Sequence, residues 1–229
     1  MAGKGAQNGL GRTVVFDLDG TLADTSADLL ASANACFRDL GHGDLLTPAD
    51  ALTAFHGGRA MLRLGFSRLG DWTEDMVDAQ YPRLLAAYEG AICVHTALYP
   101  GAVQAVETLR QRGFAVAVCT NKPEGLAETL LRALGVRDLF GALIGADTLP
   151  VRKPHAAPYV ASVIGAGGKV ARSMLVGDTD TDRKTARAAG VPVALVTFGP
   201  EGPDIARLEP EALLHHFDDL PDLAERLIP

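Results

Sequence analysis

Acidic, hydroxyl and lysine side chains follow four short apolar runs of the sequence. The residues are Asp17, Asp19 and Thr21 after TVVF, Thr120, Asn121 and Lys122 after FAVAVC, Lys153 beyond ALI, and Asp178, Asp180 and Asp182 after SMLV. Carboxylates that converge at one point repel each other unless a cation lies among them, and hard oxygen ligands suit Mg²⁺. A metal, a lysine and hydroxyl donors together supply the charge neutralisation and positioning that phosphoryl transfer requires.

A parallel sheet would bring these residues together. The runs at 13–16, 114–119, 142–144, 173–176 and 192–198 read as buried strands, because they are short, apolar and cut off by glycine or polar residues. Helical patterns lie between them, for example before Gly113 and before Gly135, where a glycine stops each helix. Alternation of strand and helix predicts an α/β fold with a Rossmann-like parallel sheet, which binds ligands beyond the carboxyl ends of its strands.

One stretch breaks this alternation. Residues 24–94 show helical spacing throughout and contain no β-branched run of strand length, which predicts an inserted all-α cap subdomain. The catalytic core would then comprise residues 13–23 and 95–229, and a core helix would restart at Tyr99-Pro100-Gly101. Residues 1–12 are expected to form a flexible tail, since they carry no apolar segment of signal-peptide type.

Composition excludes several classes of protein. The chain has 229 residues, of which 48% are hydrophobic and 21% charged, so it can bury a full core. A net charge of −7 disfavours nucleic acid and anionic membranes as partners. Three scattered cysteines make no disulfide framework, and no apolar stretch is long enough to span a membrane, so we expect a cytoplasmic protein. The oligomeric state is left open.

The motifs resemble those of the haloacid dehalogenase superfamily of phosphatases, in the branch with a helical cap after the first motif. They are DLDGTL (17–22), the run ending in TNK (120–122), Lys153-Pro154 and GDTDTD (177–182), in the order typical of that family. The resemblance implies Asp17 as nucleophile and Asp19 as general acid and base. It also implies that Thr120, Asn121 and Lys153 bind the phosphoryl group.

The resemblance further implies a Mg²⁺ site. Its predicted residues are Asp17, Asp19 through its backbone carbonyl, Asp178 and Asp182. Asp182 has two alternatives here, because a carboxylate near the start of the next helix can instead hold Lys153 or a metal-bound water. A calcium loop fails as an explanation of GDTDTD, since Arg183 stands where the loop glycine belongs and Ala189 where the bidentate glutamate belongs.

Two cap residues are candidates for substrate selection. His56 and Arg59 lie in FHGGR, a glycine-bearing break between cap helices. By the same resemblance this loop faces the active site, and the Arg59 guanidinium could then fork onto a carboxylate or a second phosphate of the substrate. The alternative is an ordinary surface arginine near a helix start.

The predicted function is Mg²⁺-dependent hydrolysis of a small phosphorylated metabolite through an aspartyl phosphate, with 2-phosphoglycolate as the leading substrate by resemblance. A phosphosugar mutase of the same superfamily remains as an alternative, as does a non-catalytic phosphate-binding module. The second carboxylate, Asp19, argues against a dehalogenase, because dehalogenases of the superfamily lack it. No lysine lies between Lys4 and Lys122, which excludes a cap lysine that would form an imine with a phosphonate.

Overall fold

The computed structural model describes residues 11–229, and the chain divides into two compact units. One unit takes in the chain up to Leu22 together with Leu98–Pro229, and the other is Ala23–Ala97. The first ten residues of the expected N-terminal tail lie outside the described residues. The carbonyls of Gly11 and Arg12, at its end, accept backbone hydrogen bonds from Lys169 and Ala115.

Within residues 11–229 the chain forms eight strands. They are β1 (Thr13–Phe16), β2 (Ala23–Asp24), β3 (Ala97–Leu98), β4 (Ala115–Cys119), β5 (Ala142–Ile144), β6 (Ser173–Gly177), β7 (Val193–Val196) and β8 (Ala212–Leu214). Six of them form one parallel sheet in the order β5-β4-β1-β6-β7-β8, and β2 pairs with β3. This result confirms the predicted parallel α/β core.

Helices connect the strands. They are α1 (Ser26–Asp39), α2 (Ala51–Ala54), α3 (Gly58–Ser67), α4 (Glu74–Gly90), α5 (Ala102–Gln111), α6 (Glu124–Ala133), α7 (Ala156–Gly165), α8 (Asp180–Ala189) and α9 (Leu220–Leu227). As predicted, α5 ends shortly before Gly113 and α6 shortly before Gly135. No helix in the described part of the chain is both long and apolar enough to cross a membrane.

The central strand β1 is buried on both faces. Val14, Val15 and Phe16 have no exposed surface, as expected of a strand covered by helices on each side. Val15 packs with Tyr159 of α7 on one face, and since side chains alternate along a strand, Phe16 points to the other, where it meets the ring of Phe140 edge-on at 6.1 Å. This packing fixes where β1 ends, and the loop after it begins at Asp17.

The strand order has a switch point next to β1. Later strands are added on one side of β1 through β4 and β5, and then on the other through β6, β7 and β8. At such a point the loops leaving the two neighbouring strands diverge and open a crevice at the carboxyl edge of the sheet. The loops that follow β1 and β6 therefore line this crevice.

One strand of the sheet was not predicted. β8 has the sequence ALL, which carries no β-branched residue and is only three residues long. Its place is set by parallel pairing with β7, with Ala194 opposite Ala212 and Val196 opposite Leu214. Tertiary pairing therefore decides its conformation more than intrinsic propensity does.

The unit Ala23–Ala97 is built mainly from α1–α4, around a small aromatic core. The rings of Phe37 in α1 and Phe66 in α3 meet edge-on, with centroids 5.2 Å apart and an interplanar angle of 86°. Both rings are fully buried. Such contacts between amphipathic helices give the unit an apolar interior of its own.

A buried carboxylate ties together the two ends of this helical unit. Asp28, near the start of α1, accepts hydrogen bonds from the backbone N–H groups of Val94, His95 and Thr96, and from Thr96 Oγ1 at 2.7 Å. Burial alone would raise the pKa of Asp28, but the hydrogen bonds from Thr96 and from the backbone outweigh it, so the pKa lies below its usual value. The ionised form is therefore the one that stabilises this junction.

Candidate active site

Two aspartates stand side by side at the switch point of the sheet. Asp17 follows β1 and Asp178 follows β6, and these strands pair with Phe16 opposite Val176. The N–H of Asp17 donates to the Val176 carbonyl at 2.9 Å, which extends the pairing into the loop. Because both residues leave adjacent parallel strands at the same edge, the sheet itself makes the two carboxylates neighbours.

Asp182 completes an acidic cluster with these two residues. Each of the three side chains offers an oxygen, and the oxygens all lie within 4.8 Å of one another. Thr21 Oγ1 donates to Asp178 Oδ1 at 2.6 Å, whereas the buried Oδ2 of Asp178 has no hydrogen-bond partner anywhere in residues 11–229. A buried carboxylate oxygen without a donor is costly. This orphaned oxygen and its acidic neighbours therefore fit a hard cation with oxygen ligands.

Lys153 lies inside the same cluster. Its Nζ is 3.0 Å from Asp17 Oδ1 and 2.7 Å from Asp182 Oδ1, and only 1% of its side chain is exposed. Its carbonyl accepts a hydrogen bond from Asn121 Nδ2 at 3.1 Å, which ties the loop after β5 to the loop after β4. An ammonium has three donor hydrogens, and the two carboxylates use two of them.

The electrostatics of the cluster show a shortage of positive charge. Burial raises the pKa of Asp17 to about 7, Lys153 opposes this shift, and Asp182 and Asp19 add to it. Burial and the charges of Asp17 and Asp182 also raise the pKa of Asp178 well above its ordinary value. Burial would lower the pKa of Lys153, but the same two aspartates outweigh it and raise that pKa. One lysine does not balance three carboxylates, and a bound cation would favour the ionised forms of Asp17 and Asp178.

Asp182 is held by the start of α8. Its Oδ2 accepts from Thr179 Oγ1 at 2.7 Å and from the Thr179 N–H at 3.1 Å, the second bond being one half of a capping box, and its Oδ1 accepts from Lys153. Gly177 makes this close approach possible, because a Cβ at that position would lie 2.4 Å from the Asp182 Cβ. Helix start, strand end and Lys153 are thus joined through one buried carboxylate.

Asp19 forms an ion pair with Lys122. Lys122 Nζ lies 2.7 Å from Asp19 Oδ1, and only 4% of the lysine side chain is exposed. The sequence placed Lys122 at the correct edge of the sheet but gave it no role. Its position in TNK, directly after a strand, indicated proximity to the site but did not indicate its pairing with Asp19.

Thr120 and Asn121 take different positions after β4. Thr120 is buried, its N–H donates to the Ile144 carbonyl of β5, and its Oγ1 accepts from the Lys122 N–H at 3.1 Å. Asn121 is exposed, and its amide donates to the Lys153 carbonyl. The threonine hydroxyl therefore has a proton left to donate, while the asparagine connects two loops of the site.

The two predicted cap residues belong to the helical unit. His56 is exposed in the turn between α2 and α3. The Arg59 guanidinium pairs with Asp78 and lies over the ring of Tyr81, 4.3 Å from its centroid, with 42% of the side chain exposed. Arg59 is thus oriented by α4 of its own unit.

Comparison with known proteins shows similarity to a family of hydrolases and to phosphatases. A family model for haloacid dehalogenase-like hydrolases matches residues 12–190. A phosphoglycolate phosphatase of Mesorhizobium japonicum is 38% identical over 223 residues, which cover 94% of this chain and 96% of that protein. One of Agrobacterium fabrum is 39% identical over 220 residues, which cover 93% of each.

Solved structures agree on the fold. A crystal structure described as a predicted phosphoglycolate phosphatase, from Haemophilus somnus 129pt, has a TM-score of 0.80 at 27% identity and covers 95% of this chain and 99% of its own. A predicted phosphatase from Clostridium acetobutylicum has a TM-score of 0.79 at 19% identity, with 95% and 100% covered, and supports the fold alone.

Proposed function

The chain belongs to the haloacid dehalogenase-like hydrolase family and is a phosphatase, and we propose that it hydrolyses 2-phosphoglycolate with Mg²⁺ through a phosphorylated Asp17. The observation that carries this proposal is the position of Asp17 beside Asp178 at the switch point, with Lys153 between Asp17 and Asp182. The names of the relatives support the substrate. The acidic cluster supports the metal.

Asp17, Asp178 and the backbone carbonyl of Asp19 are the proposed ligands of Mg²⁺. The orphaned Oδ2 of Asp178 supports this choice, as does the hydrogen bond from Thr21 that orients the same carboxylate. Asp182 contacts Lys153 and the start of α8, which supports a role through the lysine or a metal-bound water. When bound, the cation would neutralise charge on the phosphoryl oxygens and position the ester for in-line attack.

Asp17 is the proposed nucleophile. Its carboxylate oxygen attacks phosphorus, the bond from phosphorus to the glycolate oxygen breaks, and an aspartyl phosphate forms. Part of the side chain, 12%, stays exposed, so an incoming ester can reach it. Lys153 and the Thr120 hydroxyl are the proposed donors to the phosphoryl oxygens during this transfer, which their contacts beside Asp17 and after β4 support.

Asp19 is the proposed proton carrier. It donates a proton to the departing glycolate oxygen in the first step, and takes a proton from the water that attacks the aspartyl phosphate in the second. Phosphate then leaves, and Asp17 returns as a free carboxylate. Asp19 lies two residues after the nucleophile and is partly exposed, which supports contact with both the leaving group and water.

Recognition of the glycolate end is assigned to the helical unit. Arg59 is the proposed residue for the substrate carboxylate, with His56 nearby in the chain, because a guanidinium binds a carboxylate through two parallel hydrogen bonds. Its exposed pairing with Asp78 supports this assignment, since Arg59 can exchange this surface partner for another anion at little cost.

The cytoplasm is the proposed location of the protein. The three cysteines, which are free within residues 11–229, are consistent with it.

A panel of small phosphomonoesters tests the proposed function. We expect 2-phosphoglycolate to have the highest kcat/KM for phosphate release, with activity lost in EDTA and restored by Mg²⁺. Conversion of a hexose 1-phosphate to its 6-phosphate, without phosphate release from any ester, would replace the phosphatase with a phosphosugar mutase. Binding of esters without any turnover would instead identify a non-catalytic phosphate-binding module.

A further inference from the structure

Lys122 is a buried lysine that the mechanism above does not use. Its ammonium is 2.7 Å from Asp19 Oδ1 and its side chain is almost fully buried. A buried ammonium is costly unless it is paired and hydrogen-bonded. The contact with the Asp19 carboxylate supplies that pairing. The contact joins the loop after β4 to the loop after β1.

The backbone of Lys122 is fixed from both sides. Its N–H donates to Thr120 Oγ1 at 3.1 Å, and its carbonyl accepts from the Ala146 N–H at 2.9 Å. The next turn is equally close-packed, since a Cβ at Gly145 would lie 2.4 Å from the Glu124 nitrogen. The ammonium therefore projects from a rigid loop and offers Asp19 a fixed partner.

We propose that Lys122 is a positioning residue that holds the Asp19 carboxylate in line with the leaving oxygen of the ester. A charge-assisted hydrogen bond to one carboxylate oxygen restricts rotation of the side chain. Small errors in the placement of a proton donor cost large factors in rate. The inference rests on the proposed function, because it matters only when Asp19 transfers protons.

The chemistry separates two kinds of ester. Glycolate is a poor leaving group, so its departure from 2-phosphoglycolate depends on a proton from Asp19. p-Nitrophenolate is stable as an anion, so p-nitrophenyl phosphate can phosphorylate Asp17 without that proton. The constant kcat/KM reports the steps up to the irreversible release of the alcohol or phenol. The constant kcat also includes cleavage of the aspartyl phosphate, in which Asp19 accepts a proton from water.

The test compares Lys122→Met with wild type on these two esters. For 2-phosphoglycolate we expect kcat/KM to fall on the order of 10- to 100-fold. For p-nitrophenyl phosphate we expect kcat/KM to change less than about threefold while kcat falls, because only cleavage of the intermediate then needs an oriented Asp19. Lys122→Arg, which keeps the charge, should recover part of both losses.

Lys184→Met is the matched control. Lys184 pairs with Asp180 at 2.5 Å, but on the surface of α8, with 62% of the lysine side chain exposed. The same substitution there should leave both esters unchanged. The double variant Asp19→Asn/Lys122→Met should be no slower on 2-phosphoglycolate than Asp19→Asn alone, because Lys122 acts through Asp19.

Equal losses of kcat/KM on both esters, or no loss on either, would overturn the positioning role. If Lys122→Met does not fold, Lys122→Arg and Lys122→Gln are tested by the ratio of kcat/KM for 2-phosphoglycolate to kcat/KM for p-nitrophenyl phosphate. A ratio equal to that of wild type in both variants would also overturn the positioning role. Wild-type enzyme that releases no phosphate from any ester would overturn the proposed function, and the inference with it. Wild-type enzyme that prefers another alkyl phosphate would overturn only the substrate, and that ester would then serve in the same comparison.

Discussion

The two lysines at the carboxyl edge of the sheet and the arginines of the helical unit differ in burial. At the carboxyl edge of the sheet, Lys153 and Lys122 have side chains that are 1% and 4% exposed. In the helical unit, the pair Arg38 and Asp44 is 50% and 57% exposed. Buried charges are tolerated only with close partners, whereas exposed pairs contribute little and exchange readily.

This difference separates two tasks. In the proposed mechanism, the buried charges at the sheet edge act on every ester alike, which requires fixed positions. Substrate selection is proposed for the helical unit, whose exposed arginines can exchange one anionic partner for another. Changes at the edge should therefore abolish the reaction, while changes in the helical unit should shift selectivity or local stability.

The largest effect is expected at the nucleophile. Asp17→Asn keeps the shape of the side chain but cannot attack phosphorus, so kcat should fall more than about 10³-fold on all esters. Initial rates of phosphate release would be measured, with circular dichroism to verify the fold. A cleanly purified variant with a tenth of wild-type activity would refute covalent catalysis by this residue.

The next largest effect is expected at Lys153. Lys153→Met removes the ammonium shared by Asp17 and Asp182, and kcat/KM should fall on the order of 10²- to 10³-fold. The loss should be similar for 2-phosphoglycolate and for an aryl phosphate, because both present the same phosphoryl group. Losses of kcat/KM that differ more than about tenfold between the two esters would show that Lys153 also interacts with the leaving group.

A stability effect is expected at Asp28. Asp28→Asn replaces an acceptor of several hydrogen bonds with an amide and should lower the free energy of unfolding by about 1–3 kcal/mol. The folded-state pKa of Asp28 lies below its ordinary value of 3.8, so this stabilisation is complete above that value and is lost as the pH falls through the folded-state pKa.

Urea unfolding at pH 7 and at acidic pH would measure this effect. The difference in unfolding free energy between wild type and Asp28→Asn should shrink as the pH falls. A difference that stays constant with pH would mean that the charge of Asp28 contributes nothing.

The smallest effect is expected at Arg59. Arg59→Ala should lower kcat/KM for 2-phosphoglycolate on the order of tenfold and leave an aryl phosphate nearly unchanged, because only the former carries a carboxylate. Arg63→Ala is the control, since Arg63 lies on the same helix and pairs with Glu74 at the surface. If Arg59→Ala lowered kcat/KM equally for both esters, Arg59 would have no role in substrate selectivity.

Much of the sheet edge could be predicted from sequence because strands supply a simple rule. Thr21 and Asp178 are 157 positions apart, yet both follow strand ends, and parallel pairing makes them neighbours. The pairing of Lys122 with Asp19 could not be predicted, since it depends on the path of a loop fixed by Thr120 and Ala146.

The helical unit offered no such rule. Apolar spacing predicts helices, but it does not show which helices pack against each other. The contacts of Arg59 with Asp78 and Tyr81 of α4 could therefore not be predicted. No sequence pattern singles out Asp28, because Thr96, one of its partners, lies 68 residues further along the chain. Contacts between helices depend on three-dimensional packing that a single sequence does not encode locally.

In the proposed mechanism, Asp17 carries the phosphoryl group during turnover. The most direct test mixes Asp19→Asn with ³²P-labelled p-nitrophenyl phosphate and Mg²⁺, quenches with acid at millisecond intervals, and maps the label by peptide. The aryl group needs no proton to leave, but cleavage of the intermediate does need the missing carboxylate. We expect one nitrophenolate to be released and one phosphate to be retained per site, on the peptide that contains Asp17. Release of free phosphate with no protein-bound label at any time, or label on another residue, would contradict it.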